Sequence, residues 1–96
     1  MKNLTLRNLT KVCNGIWHGD NALLDQEISA ITTDSRKIEK DCLFVPIVGE
    51  RVDAHRFIPD VMTKGALATL SERELPEADY AYIQVDASLQ AVKDIA

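Results

Sequence analysis

The feature that most constrains the fold is a nearly continuous apolar run at residues 42–48. Runs of this kind are typical of a β-strand that is buried on both faces. Pro46 lies within the run, and proline has no backbone N–H to give to a neighbouring strand. The run therefore predicts a buried strand near the middle of the chain, with an edge position or a bulge at Pro46.

Hydrophobic periodicity predicts the other elements. Apolar residues recur at three- and four-residue spacing over 5–15 and 54–64, which indicates two helices. Thr5 is suited to cap the start of the first helix, and Gly15 is suited to end it in the left-handed conformation. Further strands are expected from alternating or apolar stretches at residues 16–18, 28–33, 66–70 and 80–85.

Two helix boundaries carry additional signals. Pro59 fits only the first turn of a helix, so the second regular helix is expected to start at His55 or Arg56. A third helix follows Asp86 or Ser88, either of which is suited to cap it. This helix has no terminating Gly, Asn or Pro before residue 96, so we expect the chain to be cut within it.

The order of these elements predicts an α/β fold, a small mixed sheet flanked by helices. With 96 residues the chain is expected to form a single domain, because two hydrophobic cores would not fit. Its 11 Lys and Arg against 15 Asp and Glu disfavour a nucleic-acid partner. The sequence has no apolar run long enough to cross a membrane and no signal peptide, and its two cysteines are too few for a disulfide scaffold. These features predict a cytoplasmic protein.

Known catalytic and metal motifs are missing from the sequence. There is no glycine-rich phosphate loop, no dinucleotide-binding fingerprint and no hydrolase nucleophile elbow. The two histidines have no cysteine cluster beside them, so a metal site is not expected. The acidic stretch at residues 71–86 is expected to form a solvated face. We therefore predict binding residues but no catalytic and no metal residues.

The first candidate binding segment follows the predicted strand at 28–33. Thr33, Asp34, Ser35 and Arg36 place hydroxyls, a carboxylate and a guanidinium where the strand leaves the sheet. Hydroxyls and free backbone N–H groups suit uracil or ribose, and an arginine suits a phosphate or carboxylate. The alternative is a plain turn in which Asp34 bonds its own backbone and Arg36 pairs with a nearby acid.

The second candidate segment follows the apolar run. Gly49, Glu50, Arg51, Asp53 and His55 lie between a strand and the start of a helix, where free N–H groups suit an anion. The arginine and histidine add positive charge, which the two acids partly cancel. The alternative is an ordinary helix cap with solvated charges. A capping or ligand-orienting role suits His55 better than general-base chemistry.

Taken together, these segments resemble the N-terminal domain of the bacterial Mur ligases. The resemblance spans essentially the whole chain, and its specificity comes from the order of five short motifs. The motifs are Thr-Asp-Ser-Arg at 33–36, Leu-Phe-Val at 43–45, Gly-Glu-Arg at 49–51, Asp-Ala-His at 53–55 and Lys-Gly-Ala at 64–66.

The resemblance implies a three-domain parent enzyme. In this family an N-terminal domain holds the UDP part of the substrate, a central domain binds ATP and Mg²⁺, and a C-terminal domain brings the incoming amino acid or peptide. The carboxylate of the UDP-N-acetylmuramoyl-peptide is activated as an acyl phosphate, which an amine then attacks. Residues 1–96 would be the first domain alone, a monomer that is inactive without the other two.

Within the family, Asp-Ala-His together with Gly-Glu-Arg favours the branch that adds D-alanyl-D-alanine to the UDP-N-acetylmuramoyl-tripeptide. Two alternatives remain. The domain could belong to the branch that extends the UDP-N-acetylmuramoyl-dipeptide, or it could be a non-catalytic interaction module that kept the fold. In each ligase case the resemblance implies that both candidate segments, 33–36 and 49–55, lie in the nucleotide-sugar site.

Overall fold

The computed structural model of the chain describes residues 4–47, 53–75 and 81–95. Within these residues the helices are α1 (Leu6–Val12), α2 (Ile58–Thr63) and α3 (Ser88–Ile95). The strands are β1 (Ile16–His18), β2 (Ile31–Thr32), β3 (Leu43–Phe44), β4 (Ala68–Ser71) and β5 (Tyr82–Gln84). Two short 3₁₀ helices, Asn21–Leu23 and Ala54–Phe57, complete the described elements.

The five strands form one mixed sheet in the order β1-β5-β4-β3-β2. Strand β1 is antiparallel to β5, and the pairs β5–β4, β4–β3 and β3–β2 are all parallel. The predicted fold class, a small mixed sheet flanked by helices, is confirmed. Because four neighbouring strands run the same way, their carboxyl ends lie at one edge of the sheet, and the described residues directly after β2, β3 and β4 start from that edge.

The sheet is covered on both faces. Successive side chains of β3 point to opposite sides, so Leu43 belongs to one buried cluster and Phe44 to another. The larger cluster contains α1 and α3 residues such as Leu6 and Ala91. The smaller cluster, which we call the α2-side core, consists of Phe44, Ile58 and Val61.

Pro46 does not mark an edge strand. Strand β3 lies between β2 and β4, so it is an interior strand of the sheet. The ladder ends just before the proline, where the N–H of Val45 donates to the carbonyl of Thr32 at 2.9 Å. The expected edge position or bulge was wrong, because Pro46 lies beyond the last ladder hydrogen bond.

The second helix begins later than expected. Residues Ala54–Phe57 form a 3₁₀ turn, and α2 starts at Ile58 with Pro59 in its first turn. An α-helix starting at His55 would need the N–H of residue 59 to bond the His55 carbonyl, and Pro59 has none. That carbonyl instead accepts from the N–H of Ile58, three residues on, which is the 3₁₀ pattern.

Both ends of α1 are closed by local hydrogen bonds. The hydroxyl of Thr5 accepts from the N–H of Asn8 at 3.2 Å, which confirms the predicted N-cap. The left-handed residue after the helix is Asn14, with φ 55°, and not Gly15 as expected. Asparagine tolerates this conformation better than most residues with a side chain.

Candidate functional site

An open cleft lies at the carboxyl edge of the sheet, next to the ends of β2 and β3. Its volume is about 540 Å³. One wall comes from the segment that follows β2 and the other from the 3₁₀ turn that precedes α2. The lining residues are Thr33, Asp34, Ser35, Arg36, Ala54 and Phe57. The structure thus brings all four residues of the first candidate segment into one cleft.

The first wall is a tight turn closed by Asp34. Its Oδ1 accepts from the backbone N–H of Arg36 at 2.9 Å, and its two oxygens accept from Nε and Nη2 of the same arginine, each at 3.1 Å. These hydrogen bonds lower the pKa of the Asp34 carboxyl to about 2. The Arg36 side chain remains 85% exposed. The plain-turn geometry is therefore present, and the turn also presents a fixed guanidinium at the cleft.

Lys64 fastens this turn to the rest of the domain. Its Nζ donates to the backbone carbonyl of Ser35 at 3.2 Å and pairs with Asp60 at 2.9 Å. The lysine caps the end of α2 and belongs to the Lys-Gly-Ala motif, to which the sequence analysis assigned no role. The end of α2 and the cleft turn are thus held together across 29 residues of sequence.

The second candidate segment is described only in part, because Gly49, Glu50 and Arg51 lie outside the described residues. Asp53 caps the 3₁₀ turn, and its Oδ1 accepts from the backbone N–H of His55 at 2.9 Å. The same oxygen contacts Nδ1 of His55 at 2.6 Å. A guanidinium nitrogen of Arg73 binds the other carboxylate oxygen of Asp53. Asp53 therefore organises the 3₁₀ turn that forms the second wall.

His55 is buried behind the cleft, with its side chain 2% exposed. Its Nε2 lies 2.8 Å from the backbone nitrogen of Glu72, which can only donate. The proton of the neutral ring is therefore on Nδ1, where it is donated to Asp53. Burial lowers the pKa of His55, and the nearby Glu72 carboxylate works in the opposite direction.

The residues after β4 have contacts that the sequence analysis did not anticipate. Glu72 Oε2 accepts from the backbone N–H of Ser88 at 2.8 Å, so this carboxylate serves the first turn of α3. The Ser88 hydroxyl is buried without a hydrogen-bond partner among the described residues, so it is not the cap. The expectation of a wholly solvated acidic face was wrong for Glu72. Its partners are 16 and 17 residues away, and no local pattern encodes them.

Other kinds of site find little support in the part of the chain that the structure describes. No three or more His, Cys, Asp or Glu residues there come together as a metal site. No helix among the described residues is long and apolar enough to cross a membrane. Cys13 and Cys42 are buried, and burial raises the pKa of both thiols.

Comparison with known proteins identifies the family. A family model described as "Mur ligase family, catalytic domain" matches residues 27–96, and the chain belongs to the Mur ligase family. The UDP-N-acetylmuramoyl-tripeptide–D-alanyl-D-alanine ligase of Buchnera aphidicola subsp. Baizongia pistaciae is 41% identical over 76 residues, covering 77% of this chain and 16% of that protein. The UDP-N-acetylmuramoyl-L-alanyl-D-glutamate–2,6-diaminopimelate ligase of Cytophaga hutchinsonii is 46% identical over 76 residues, covering 75% of this chain and 15% of that protein.

A solved structure agrees with the sequence relatives. A crystal structure of MurF from Acinetobacter baumannii superposes with a TM-score of 0.83 at 33% identity. The match covers 94% of this chain and 19% of that one. The chain spans about one sixth of the length of the two curated relatives named above. The resemblance to the N-terminal α/β domain of the Mur ligases is confirmed.

Proposed function

We propose that this domain binds the UDP portion of UDP-N-acetylmuramoyl-tripeptide for an ATP-dependent peptidoglycan ligase that adds D-alanyl-D-alanine. The observation that carries the proposal is the cleft itself, whose lining includes Arg36, held by Asp34 and still exposed. Thr33 and Ser35 supply hydroxyls for uracil or ribose, and Phe57 supplies an apolar surface on the other wall. Gly49, Glu50 and Arg51 complete the proposed site.

Charge near the cleft favours a diphosphate. Arg36, Lys37 and Arg56 are all exposed on the two segments that form the cleft walls. They stand out in a chain whose formal net charge is −4. An exposed guanidinium that is already oriented by one carboxylate loses little conformational freedom when it binds an anion, which favours affinity.

The remaining parts of the reaction are proposed to belong to the parent enzyme. ATP and Mg²⁺ would bind elsewhere, since this sequence has no phosphate loop. When bound, they would supply the phosphoryl group that activates the substrate carboxylate. This chain's residues would bind and orient the UDP end. We propose that residues 1–96 act as one N-terminal domain of a cytoplasmic, monomeric ligase and have no ligase activity alone.

A second candidate is the ligase that acts one step earlier. The 46% identity to the 2,6-diaminopimelate-adding enzyme of Cytophaga hutchinsonii is at least as high as the 41% identity to the D-alanyl-D-alanine-adding enzyme of Buchnera. The UDP end of the substrate is common to both reactions. Comparing the affinities for UDP-N-acetylmuramoyl-tripeptide and for UDP-N-acetylmuramoyl-L-alanyl-D-glutamate would test for a preference within this domain.

The proposal is tested by amide NMR titration of the chain with UDP-N-acetylmuramoyl-tripeptide, UDP and ATP. We expect shifts at residues 33–36 and 53–57, larger for the UDP ligands than for ATP. Arg36→Ala should weaken binding of the UDP ligands roughly 10- to 100-fold, the usual effect of losing charge-assisted hydrogen bonds. The Asp34 pKa should rise toward its ordinary value in this variant, which reports that the pair is broken.

Arg7→Ala is a matched control. Arg7 also forms an exposed ion pair through Nε, with Asp25 at 3.0 Å, but it lies on α1 and outside the cleft lining. Its removal should leave the affinity unchanged. Equal affinity of native and Arg36→Ala proteins would remove Arg36 from the site. Absence of any response to millimolar UDP ligand in the folded native chain would favour an interaction module.

A further inference from the structure

His55 links the second cleft wall to the interior of the domain. One ring nitrogen donates to Asp53, the cap of the 3₁₀ turn, and the other accepts from the backbone N–H of Glu72, directly after β4. The side chain is 2% exposed. A hydrogen bond from the ring to a ligand would therefore require one of these two internal bonds to break.

The contacts around His55 continue in two directions. Asp53 also binds the guanidinium of Arg73, so the cap is held from the segment after β4. The side chain of Glu72 accepts from the N–H of Ser88 at 2.8 Å. Three segments therefore meet at the histidine: the turn of the cleft wall, the residues after β4 and, through Glu72, the start of α3.

The cleft wall depends on this network because the turn is short. Ala54 and Phe57 line the cleft from a four-residue 3₁₀ turn. Their side chains pack at the margin of the α2-side core and are only partly buried. A turn of this length has few internal hydrogen bonds, so its orientation is set mainly by what its ends and its buried side chain contact.

We propose that His55 is a positioning residue: it supports nucleotide-sugar binding by fixing the turn that carries Ala54 and Phe57, without contacting the ligand. The inference rests on the proposed function and narrows the predicted role of His55 within it. The charged groups that face the ring are Asp53 on the turn and Glu72 after β4, with Arg73 behind Asp53.

Two substitutions at position 55 separate the two hydrogen bonds of the ring. Glutamine places an amide oxygen near the position of Nε2 and so keeps an acceptor for the Glu72 N–H. Alanine removes both this acceptor and the Nδ1–H donor to Asp53. In H55A we expect faster hydrogen exchange at the Glu72 amide and shifted resonances of Ala54 and Phe57 in the free protein. We expect H55A to weaken binding of UDP-N-acetylmuramoyl-tripeptide about tenfold, as the loss of a buried hydrogen bond does.

H55Q should restore protection of the Glu72 amide and recover most of the lost affinity. His18→Gln is the matched control, because His18 also uses Nε2, to contact Gln84 at 3.0 Å, but lies on the edge strand β1. That variant should bind as tightly as the native chain. Should H55A fail to fold, H55N takes its place, since asparagine can still donate to Asp53 but has no acceptor for Glu72.

Nitrogen-15 shifts of the ring distinguish positioning from contact. Saturating ligand should leave the proton of the native ring on Nδ1 and both nitrogen shifts nearly unchanged. A changed tautomer, or native affinity in folded H55A, would overturn the inference. If the native chain binds no UDP ligand, the proposed function fails and the inferred binding role with it. Whether His55 fixes the turn is then tested by hydrogen exchange of the ligand-free native chain. A Glu72 amide that is not protected from exchange would overturn this part of the inference as well.

Discussion

The charged residues at and near the cleft form hydrogen bonds with one another. These internal bonds determine which of their groups remain available to bind a ligand. Asp34 uses both carboxylate oxygens to hold Arg36, so its own charge is largely engaged. Asp53 is engaged in the same way by His55 and Arg73. The cleft therefore presents the oriented guanidinium of Arg36, while the carboxylates of Asp34 and Asp53 are turned toward protein partners.

The buried state of His55 predicts a pH dependence of stability. Its pKa is lowered from 6.5 in the folded protein, mainly by burial, so the unfolded chain binds a proton more readily than the folded one. The contribution of His55 to the free energy of unfolding should therefore be complete above pH 6.5. It should fall as the pH drops from 6.5 toward the folded-state pKa. The carboxylate of Glu72 opposes the effect of burial on the pKa and so narrows the pH range over which stability falls.

Urea unfolding at about pH 7.5 and about pH 5.5 measures this effect. The native chain should lose more stability between the two conditions than H55Q, in which the side chain does not titrate. The remaining histidine, His18, is present in both proteins, so its contribution cancels in the comparison. An equal loss of stability in the two proteins would contradict the prediction.

How far the site could be predicted depends on the sequence distance between its contacts. The Asp34–Arg36 turn joins residues two positions apart. Its hydrogen bonds are those of the plain turn that was given as the alternative to a binding segment, and its place after a strand was expected. Contacts of Glu72 with His55, and of Lys64 with Ser35, join residues 17 and 29 positions apart. Such contacts depend on how the elements pack, so local spacing gave no indication of them.

Elements were predicted well in kind and less well in extent. Each of the predicted helices and strands has a counterpart among the described residues, but the strand expected at 28–33 is reduced to Ile31–Thr32. A side-chain pattern reports burial, whereas strand length depends on how many residues the neighbour pairs with. Here β2 and β3 share only two paired positions. Strand order, which makes β3 an interior strand, likewise depends on packing over the whole chain.

Gly15 shows how one element constrains another. It does not adopt the left-handed conformation expected of it, which belongs to Asn14. Instead it lies against β5: a Cβ at Gly15 would be 2.5 Å from Cγ2 of Ile83 and 2.9 Å from the backbone oxygen of Gln84. The glycine is required because the chain leaving α1 passes close to the backbone of the neighbouring strand.

Gly15→Ala should therefore destabilise the domain by roughly 1–3 kcal/mol, the usual cost of overpacking a tight site. Asn14→Gly is the neighbouring control, since φ 55° suits glycine and the change should cost little. Both are measured as the free energy of unfolding in urea. Native-like stability of Gly15→Ala would mean that α1 and β5 are not held as close as the structure indicates.

The two faces of the sheet have different neighbours. The larger core joins α1 and α3 to one face. The smaller α2-side core lies on the other face, and Ala54 and Phe57 of the cleft wall pack against it. Both cores contribute to stability, but only the α2-side core contacts the second cleft wall. Damage to the two cores should therefore have different effects on binding.

Val61→Ala and Val85→Ala test this difference with the same substitution. Val61 is fully buried in the α2-side core, and Val85, 5% exposed, belongs to the larger core. Each should lower the free energy of unfolding by roughly 2 kcal/mol, through lost burial and an incompletely filled cavity. Under conditions where both variants remain folded, only Val61→Ala should bind UDP-N-acetylmuramoyl-tripeptide more weakly, by about threefold or more, because a looser wall must be ordered on binding. Equal affinities in the two variants would mean that the cleft wall is positioned independently of the α2-side core, and the network around His55 would then have to hold it alone.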